Sequence, residues 1–201
     1  MTAPAHQMAS NPLPPKQRKP GTVGVAAGPN VAVRDAAGVI HTRSGVGEIV
    51  IQGPNVTGGY ESNDAANAEA FIEGWFRTGD LGEIDADGYL SITGRIKEII
   101  NRGGEKISPR EIDEILMDHP AVAQVVTFGI PHAKPGEVVG VVAVLREGQS
   151  VTEQDLRAFV GQRAADFKIP AKILFKDEIP KGATGKLQRI GLAEKLGLAL
   201  P

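Results

Sequence analysis

The chain has 201 residues, enough for one or two domains that bury a real core. Hydrophobic residues make up 41% and charged residues 23%, which argues against disorder, and a net charge of -2 argues against a basic nucleic-acid surface or electrostatic membrane docking. There is no cysteine, so neither a disulfide framework nor a thiolate nucleophile is available. No apolar run approaches the ~20 residues of a membrane span. The N-terminus lacks the apolar stretch of a signal peptide, so a cytoplasmic location is expected.

Residues 1–22 contain Asn11-Pro12-Leu13-Pro14-Pro15 and Lys19-Pro20-Gly21, a proline density that denies helix and regular strand. An extended loop or a flexible tail is expected there. From Val23 to Ile92 the pattern is short strands between turns. Asn30–Arg34 alternates, Asp35–Gly38 turns, and Gly47–Gly53 is a second strand. Asp64–Phe71 reads as a short helix. Leu81–Ile84 and Tyr89–Ile92 flank Asp85-Ala86-Asp87-Gly88 as a hairpin. A small β-rich unit in the form of a distorted barrel is expected over residues 1–94.

Residues 95–107 read as a link to a second unit, an α/β domain over 95–201 with a short central sheet and flanking helices. Ser108-Pro109-Arg110-Glu111 predicts a helix start with an N-cap serine, proline at the first position and glutamate three after the cap. Ile112, Ile115 and Leu116 give that helix one apolar face. Val122–Ile130 and Val138–Leu145 read as strands. The second is almost unbroken apolar sequence, so it is expected at the centre of a sheet covered on both faces. Thr152 caps a further helix with Leu156, Phe159 and Val160 inward. Ile173–Phe175 is a short strand and Gly191–Leu198 a closing helix. The fold class expected for the whole chain is therefore α+β.

Three stretches carry the chemistry. The first is Trp75-Phe76-Arg77-Thr78-Gly79-Asp80-Leu81. A carboxylate beside a strand-edge glycine leaves room for a planar ligand, and its two oxygens can accept from a vicinal diol; the residues alone leave an ordinary turn aspartate open. The second is Gly94-Arg95-Ile96-Lys97-Glu98-Ile99-Ile100-Asn101-Arg102-Gly103-Gly104-Glu105-Lys106-Ile107, where Arg95 reads either as a ligand contact or as a surface partner of Asp85 or Asp87. The third is Ile179-Pro180-Lys181-Gly182-Ala183-Thr184-Gly185-Lys186-Leu187-Gln188-Arg189. Glycines on both sides of a short polar turn hold one lysine at its tip, suited to charge developing on phosphate or carboxylate oxygens. It is not a P-loop, because Leu187 replaces the required Ser or Thr and Pro180 the first glycine. Asp85-x-Asp87-Gly88 lacks an EF-hand's final acidic ligand, and His6, His41, His119 and His132 have no metal-ligand spacing, so no protein-held metal site is expected.

In this order the three stretches resemble the C-terminal part of the AMP-forming acyl-CoA synthetases, members of the adenylate-forming superfamily. The resemblance implies that Asp80 holds the ribose hydroxyls of ATP and AMP. It implies that Arg95 contacts the ribose and phosphate side and that Lys97 is a hinge. Gly103 and Gly104 are implied to approach CoA, although relatives often carry lysines where Asn101 and Gly103 stand. Lys186 is implied to bridge the substrate carboxylate and the α-phosphate during adenylation. Met1-Thr2 aligns with the end of a (Tyr/Gly)-x-Thr-Glu stretch. That implies a phosphate contact from Thr2 and puts Ala3 where the family has a Mg²⁺-holding glutamate. Ala5–Pro15 is similar to the oxalate-CoA ligase branch, which would turn His6 toward a small dicarboxylate. The expected function is thus a C-terminal fragment of an ATP-dependent acid–CoA ligase, using a carboxylate, ATP with Mg²⁺, and CoA. The family's phosphate loop does not occur in the 201 residues, so the chain alone is expected to be inactive, with a separately encoded N-terminal domain as a possible partner. The alternatives are a non-catalytic lid-like interaction module and an adenylation domain that loads a carrier protein.

Overall fold

Runs of β-branched residues build the two main sheets of this chain, each packed under its own apolar side chains. The structure, a computed structural model, describes residues 7–180 and 187–198. The chain divides into two units, Met1–Ile96 and Lys97–Pro201.

In the first unit β1 (Ala9–Ser10) pairs antiparallel with β2 (Val25–Ala26). The main sheet contains β3 (Asn30–Arg34), β4 (Ile40–His41) and β5 (Gly45–Gln52). After helix α1 (Asp64–Ala70) it continues with β6 (Phe71–Ile72), β7 (Trp75–Ile84) and β8 (Leu90–Arg95). Its order is β4-β3-β5-β7-β6, with β8 also paired to β7. The expected distorted barrel therefore takes the form of an open sheet: among the described residues no ladder joins β4 to β6 or β8. Val33, Ile49, Ile84 and Leu90 form its core, with Met8, Ala9, Val31 and Ile92 packed on it.

The proline-rich segment is extended, as expected, but from residue 7 onward it is stitched to this sheet and is no free tail. Lys19 Nζ lies 2.6 Å from both Asp85 Oδ2 and Asp87 Oδ2 and 4.6 Å from the Tyr89 ring centre, while Tyr89 Oη donates to the Gln17 carbonyl at 2.5 Å. Gly24 makes the close approach possible. Its φ is +94°, and a Cβ there would fall 2.0 Å from the Ser10 carbonyl carbon.

The second unit begins with a hairpin, β9 (Ile100–Arg102) and β10 (Glu105–Ile107). It continues through α2 (Pro109–Met117), β11 (Val122–His132), β12 (Gly136–Leu145), α3 (Glu153–Gly161), β13 (Lys172–Phe175) and α4 (Leu192–Lys195). The expected central strand is confirmed. β12 runs antiparallel to β11 and parallel to β13, and touches β9 at Gly136. Alternation along it splits the core in two. Val139, Val141 and Ala143 pack with Ile112, Leu116, Leu156 and Val160 of the helices. Val138 and Val142 pack with Phe128, Ile130, Ile179 and Leu192 on the other face.

Local chemistry corrects three details. Ser108 stands at the N-cap of α2 without a capping-box contact, because Glu111 is drawn away to Lys168 Nζ at 2.6 Å. Thr152 does form a full capping box, with Asp155. Phe159 is only half-buried, edge-on to His119 at 4.8 Å and under Arg163 at 3.6 Å. The closing helix shrinks to Leu192–Lys195, bracketed by Gly191 at φ +73° and Gly197 at φ +66°. Among the described residues no helix is long and apolar enough to cross a membrane.

The Lys19 clamp has a pH signature. The hydrogen bond from Lys19 lowers the Asp85 pKa below its ordinary 3.8. The unfolded chain then takes up the proton first, so the stability that Asp85 adds is present above pH 3.8 and disappears as the pH falls through the folded value. Asp85→Asn keeps the Oδ1 acceptor but not the charge. In thermal melts its deficit relative to the unsubstituted chain is expected to shrink below that pH, the other titrating groups cancelling in the comparison.

Candidate functional site

Asp80 and Arg95 face each other across the β7–β8 ladder as Cα partners. A local device sets Asp80. Thr78 Oγ1 donates to the Ile49 carbonyl at 2.7 Å and accepts the Asp80 N–H at 3.1 Å. Gly79 between them has φ +73°, and a Cβ built on it meets no atom within 4 Å. The Asp80 side chain is largely buried, 14% exposed, beside this open glycine in the chain. Arg95 Nε donates to Asp80 Oδ1 at 2.8 Å. The alternative partners considered for Arg95, Asp85 and Asp87, are engaged by Lys19. The pair presents a carboxylate for hydroxyl hydrogens next to a guanidinium for anionic oxygens, on two adjacent strands. That combination fits a ribose bearing a phosphate.

Lys97 is the first residue of the second unit and is exposed, within the 3-10 turn Ile96–Glu98. Gly103 and Gly104 form the exposed tip of the β9–β10 hairpin at φ +61° and +96°. The Gly103 N–H donates to the Pro135 carbonyl at 2.7 Å and the Gly104 N–H to Asn101 Oδ1 at 3.2 Å. Asn101 therefore shapes the turn itself. A Cβ at either glycine meets open space, so a narrow ligand arm can reach this backbone. Thr2, Ala3, His6 and Lys186 lie outside the described residues. Among the described residues no three His, Cys, Asp or Glu side chains are grouped to hold a metal ion.

Arg189 closes the third stretch, where no local motif marks a role for it. In the structure it is the charged centre of the second unit. Its guanidinium donates to Asp113 Oδ2 at 2.7 Å, Glu98 Oε2 at 3.0 Å and the Thr127 carbonyl at 3.0 Å. Asp113 Oδ1 also accepts the Thr127 N–H at 2.7 Å. Burial pushes the Asp113 carboxyl above its usual range, with Arg189 and Thr127 pulling against that. The signal available in the sequence was an acidic residue at i+4 from Pro109 and i−3 from Leu116, on the buried stripe of an amphipathic helix. A cleft of about 250 Å³ opens beside this knot, lined in part by Lys97, Glu98, Glu137 and Arg189.

Comparison with known proteins places this geometry. The AMP-binding enzyme C-terminal domain matches residues 111–186. The oxalate–CoA ligase of Arabidopsis thaliana is 50% identical over 190 residues, and that of Saccharomyces cerevisiae 50% over 196, covering 94% and 96% of the chain. The chain belongs to the adenylate-forming enzymes. It spans 37% and 36% of the length of those two relatives. Among solved structures, ATP-bound MatB from Rhodopseudomonas palustris superposes with a TM-score of 0.85 at 36% identity, covering 93% of this chain and 38% of that one. The o-succinylbenzoate–CoA synthetase of Bacillus subtilis, in complex with its acyl-adenylate, gives 0.76 at 35% identity, covering 86% of this chain and 35% of its own. Membership in the adenylate-forming enzymes accounts for the mixed α/β architecture and the order of the three stretches.

Gly79 gives a direct check on the local geometry. Gly79→Ala adds no clash, only a left-handed residue with a Cβ, so a loss of about 1–2 kcal/mol is expected in urea denaturation. A neutral result would mean that residue 79 does not hold that backbone conformation.

Proposed function

We propose that this chain supplies the ribose-contacting strand pair and the mobile lid of an ATP-dependent, AMP-forming acid–CoA ligase. The observation that carries the reading is the position of the unit boundary. It falls immediately before Lys97, between the Asp80–Arg95 pair and the domain that ends its family match on Lys186. A two-step ligase needs such a division, because one site must present different groups in sequence.

In the first step a carboxylate oxygen attacks the α-phosphate of ATP, which enters with its Mg²⁺. A P–O bond to the substrate forms, the bond to the β-phosphate bridging oxygen breaks, and pyrophosphate leaves. Asp80 accepts hydrogen bonds from the ribose hydroxyls. Arg95 offsets phosphate charge, Thr2 adds a phosphate contact, and Lys186 sits between carboxylate and α-phosphate as negative charge develops. In the second step the lid turns about Lys97 and brings the Gly103–Gly104 backbone toward CoA. The thiol, losing its proton, attacks the acyl carbon and AMP leaves. Fifty per cent identity to two oxalate–CoA ligases supports a small dicarboxylate as the acid, with His6 turned toward its second carboxylate. A cytoplasmic setting suits these soluble substrates.

The test uses a chimera in which this chain replaces the matching part of the Arabidopsis oxalate–CoA ligase. With Lys186→Ala, acyl-adenylate formation is expected to fall by about 10²–10³-fold, the loss typical of removing one preorganised charge donor. Transfer from supplied acyl-adenylate to CoA is expected to persist. Equal loss of both steps, or of neither, contradicts the assignment.

A further inference from the structure

Arg189 lies three residues beyond Lys186, in a stretch with little apolar burial of its own. Ile179 is buried before the lysine segment and Leu192 after it. Among the described residues 187–191, Arg189 is the single side chain that is not exposed; Leu187 and Ile190 are 49% and 58% exposed. Apolar burial therefore does not fix the chain next to Lys186. The Arg189 guanidinium ties it to three separate elements: Asp113 on α2, the Thr127 carbonyl on β11, and Glu98 in the turn at the unit boundary.

The chemistry requires arginine. Three acceptors in different directions match a rigid planar fork with five N–H donors, whereas an ammonium is a compact charge that cannot span them with the same geometry. Asp113 is buried and would be left without its counter-charge, so the pair resists opening. The contact to Glu98 adds a mechanical consequence. Glu98 is the residue after Lys97, so a rotation at the hinge carries the base of the lysine segment with it rather than leaving it behind.

We propose that Arg189 is a positioning residue for adenylation: it anchors the base of the Lys186 segment to the body of the lid and to the hinge turn. The proposal rests on the acid–CoA ligase reading for its catalytic consequence, but its anchoring part is physical and can be measured without activity.

Two measurements test it. In the 201-residue chain, hydrogen exchange of peptides covering 187–196 is expected to be about tenfold faster in Arg189→Lys, with the β12 peptide 139–143 unchanged, as for a local rather than global opening. Glu98→Gln, which spares the Asp113 contact, is expected to speed exchange at 97–101 with a smaller effect on 187–196. In the chimera, Arg189→Lys is expected to slow acyl-adenylate formation by about 30-fold, while transfer from supplied acyl-adenylate to CoA stays within about threefold. Arg189→Lys that exchanges like the unsubstituted chain overturns the anchor. Equal slowing of both steps overturns the positioning role and leaves a structural one. An unsubstituted chimera that makes no acyl-adenylate contradicts the ligase reading, and the exchange comparison then decides the anchor by itself.

Discussion

A single guanidinium, that of Arg189, ties the second unit together where hydrophobic packing does not reach. The two halves of that unit's core lie on opposite faces of β12, under α2 and α3 on one side and under Ile179 and α4 on the other. Arg189 crosses from the C-terminal segment to Asp113 of α2 and to the β11 backbone, and so joins what the sheet separates. Its partners are largely buried, which makes the loss of either charge costly, because an uncompensated ion would remain in a poorly hydrated place. The same residue also reaches Glu98, beside the unit boundary. Architecture, segment position and hinge turn thus share one electrostatic junction.

The first unit uses ions differently. Its Lys19 clamp at the β7–β8 turn and its Asp80–Arg95 pair each have one well-exposed member, Asp87 and Arg95, so water screens them and each adds little stability. Their value is geometric. The clamp fixes the proline-rich stretch that follows β1, and the pair fixes a carboxylate next to Gly79 in the chain. In the second unit the arginine itself is sheltered, whereas Arg95 is half exposed, where a charged substrate can compete for it.

Much of the fold was legible because it is encoded locally. β3 occupies Asn30–Arg34 as its alternation indicates, and β12 is central because only a strand covered on both faces reads as continuous Val and Ala. The capping box at Thr152 is a four-residue signal and formed as read. What escaped is non-local or competitive. Glu111 had two possible partners, and Lys168, distant in sequence, won over the helix start. The last helix is cut short by two glycines in left-handed conformations. Arg189 and Glu98 are 91 positions apart, and no spacing rule joins them. In the candidate site, the pairing of Asp80 with Arg95 follows from a hairpin that was readable, whereas the buried Asp113 shows only once the helix is packed.

The central claim is that the boundary before Lys97 is a working hinge between two reaction steps. A hinge residue must change φ and ψ, and proline fixes φ near −65°. The most direct measurement is therefore the pair of half-reaction rates for Lys97→Pro in the chimera with the Arabidopsis ligase. A hinge at Lys97 predicts that one step continues while the other falls by at least ~100-fold, about 2.7 kcal/mol of barrier. Both steps running at unsubstituted rates would contradict it.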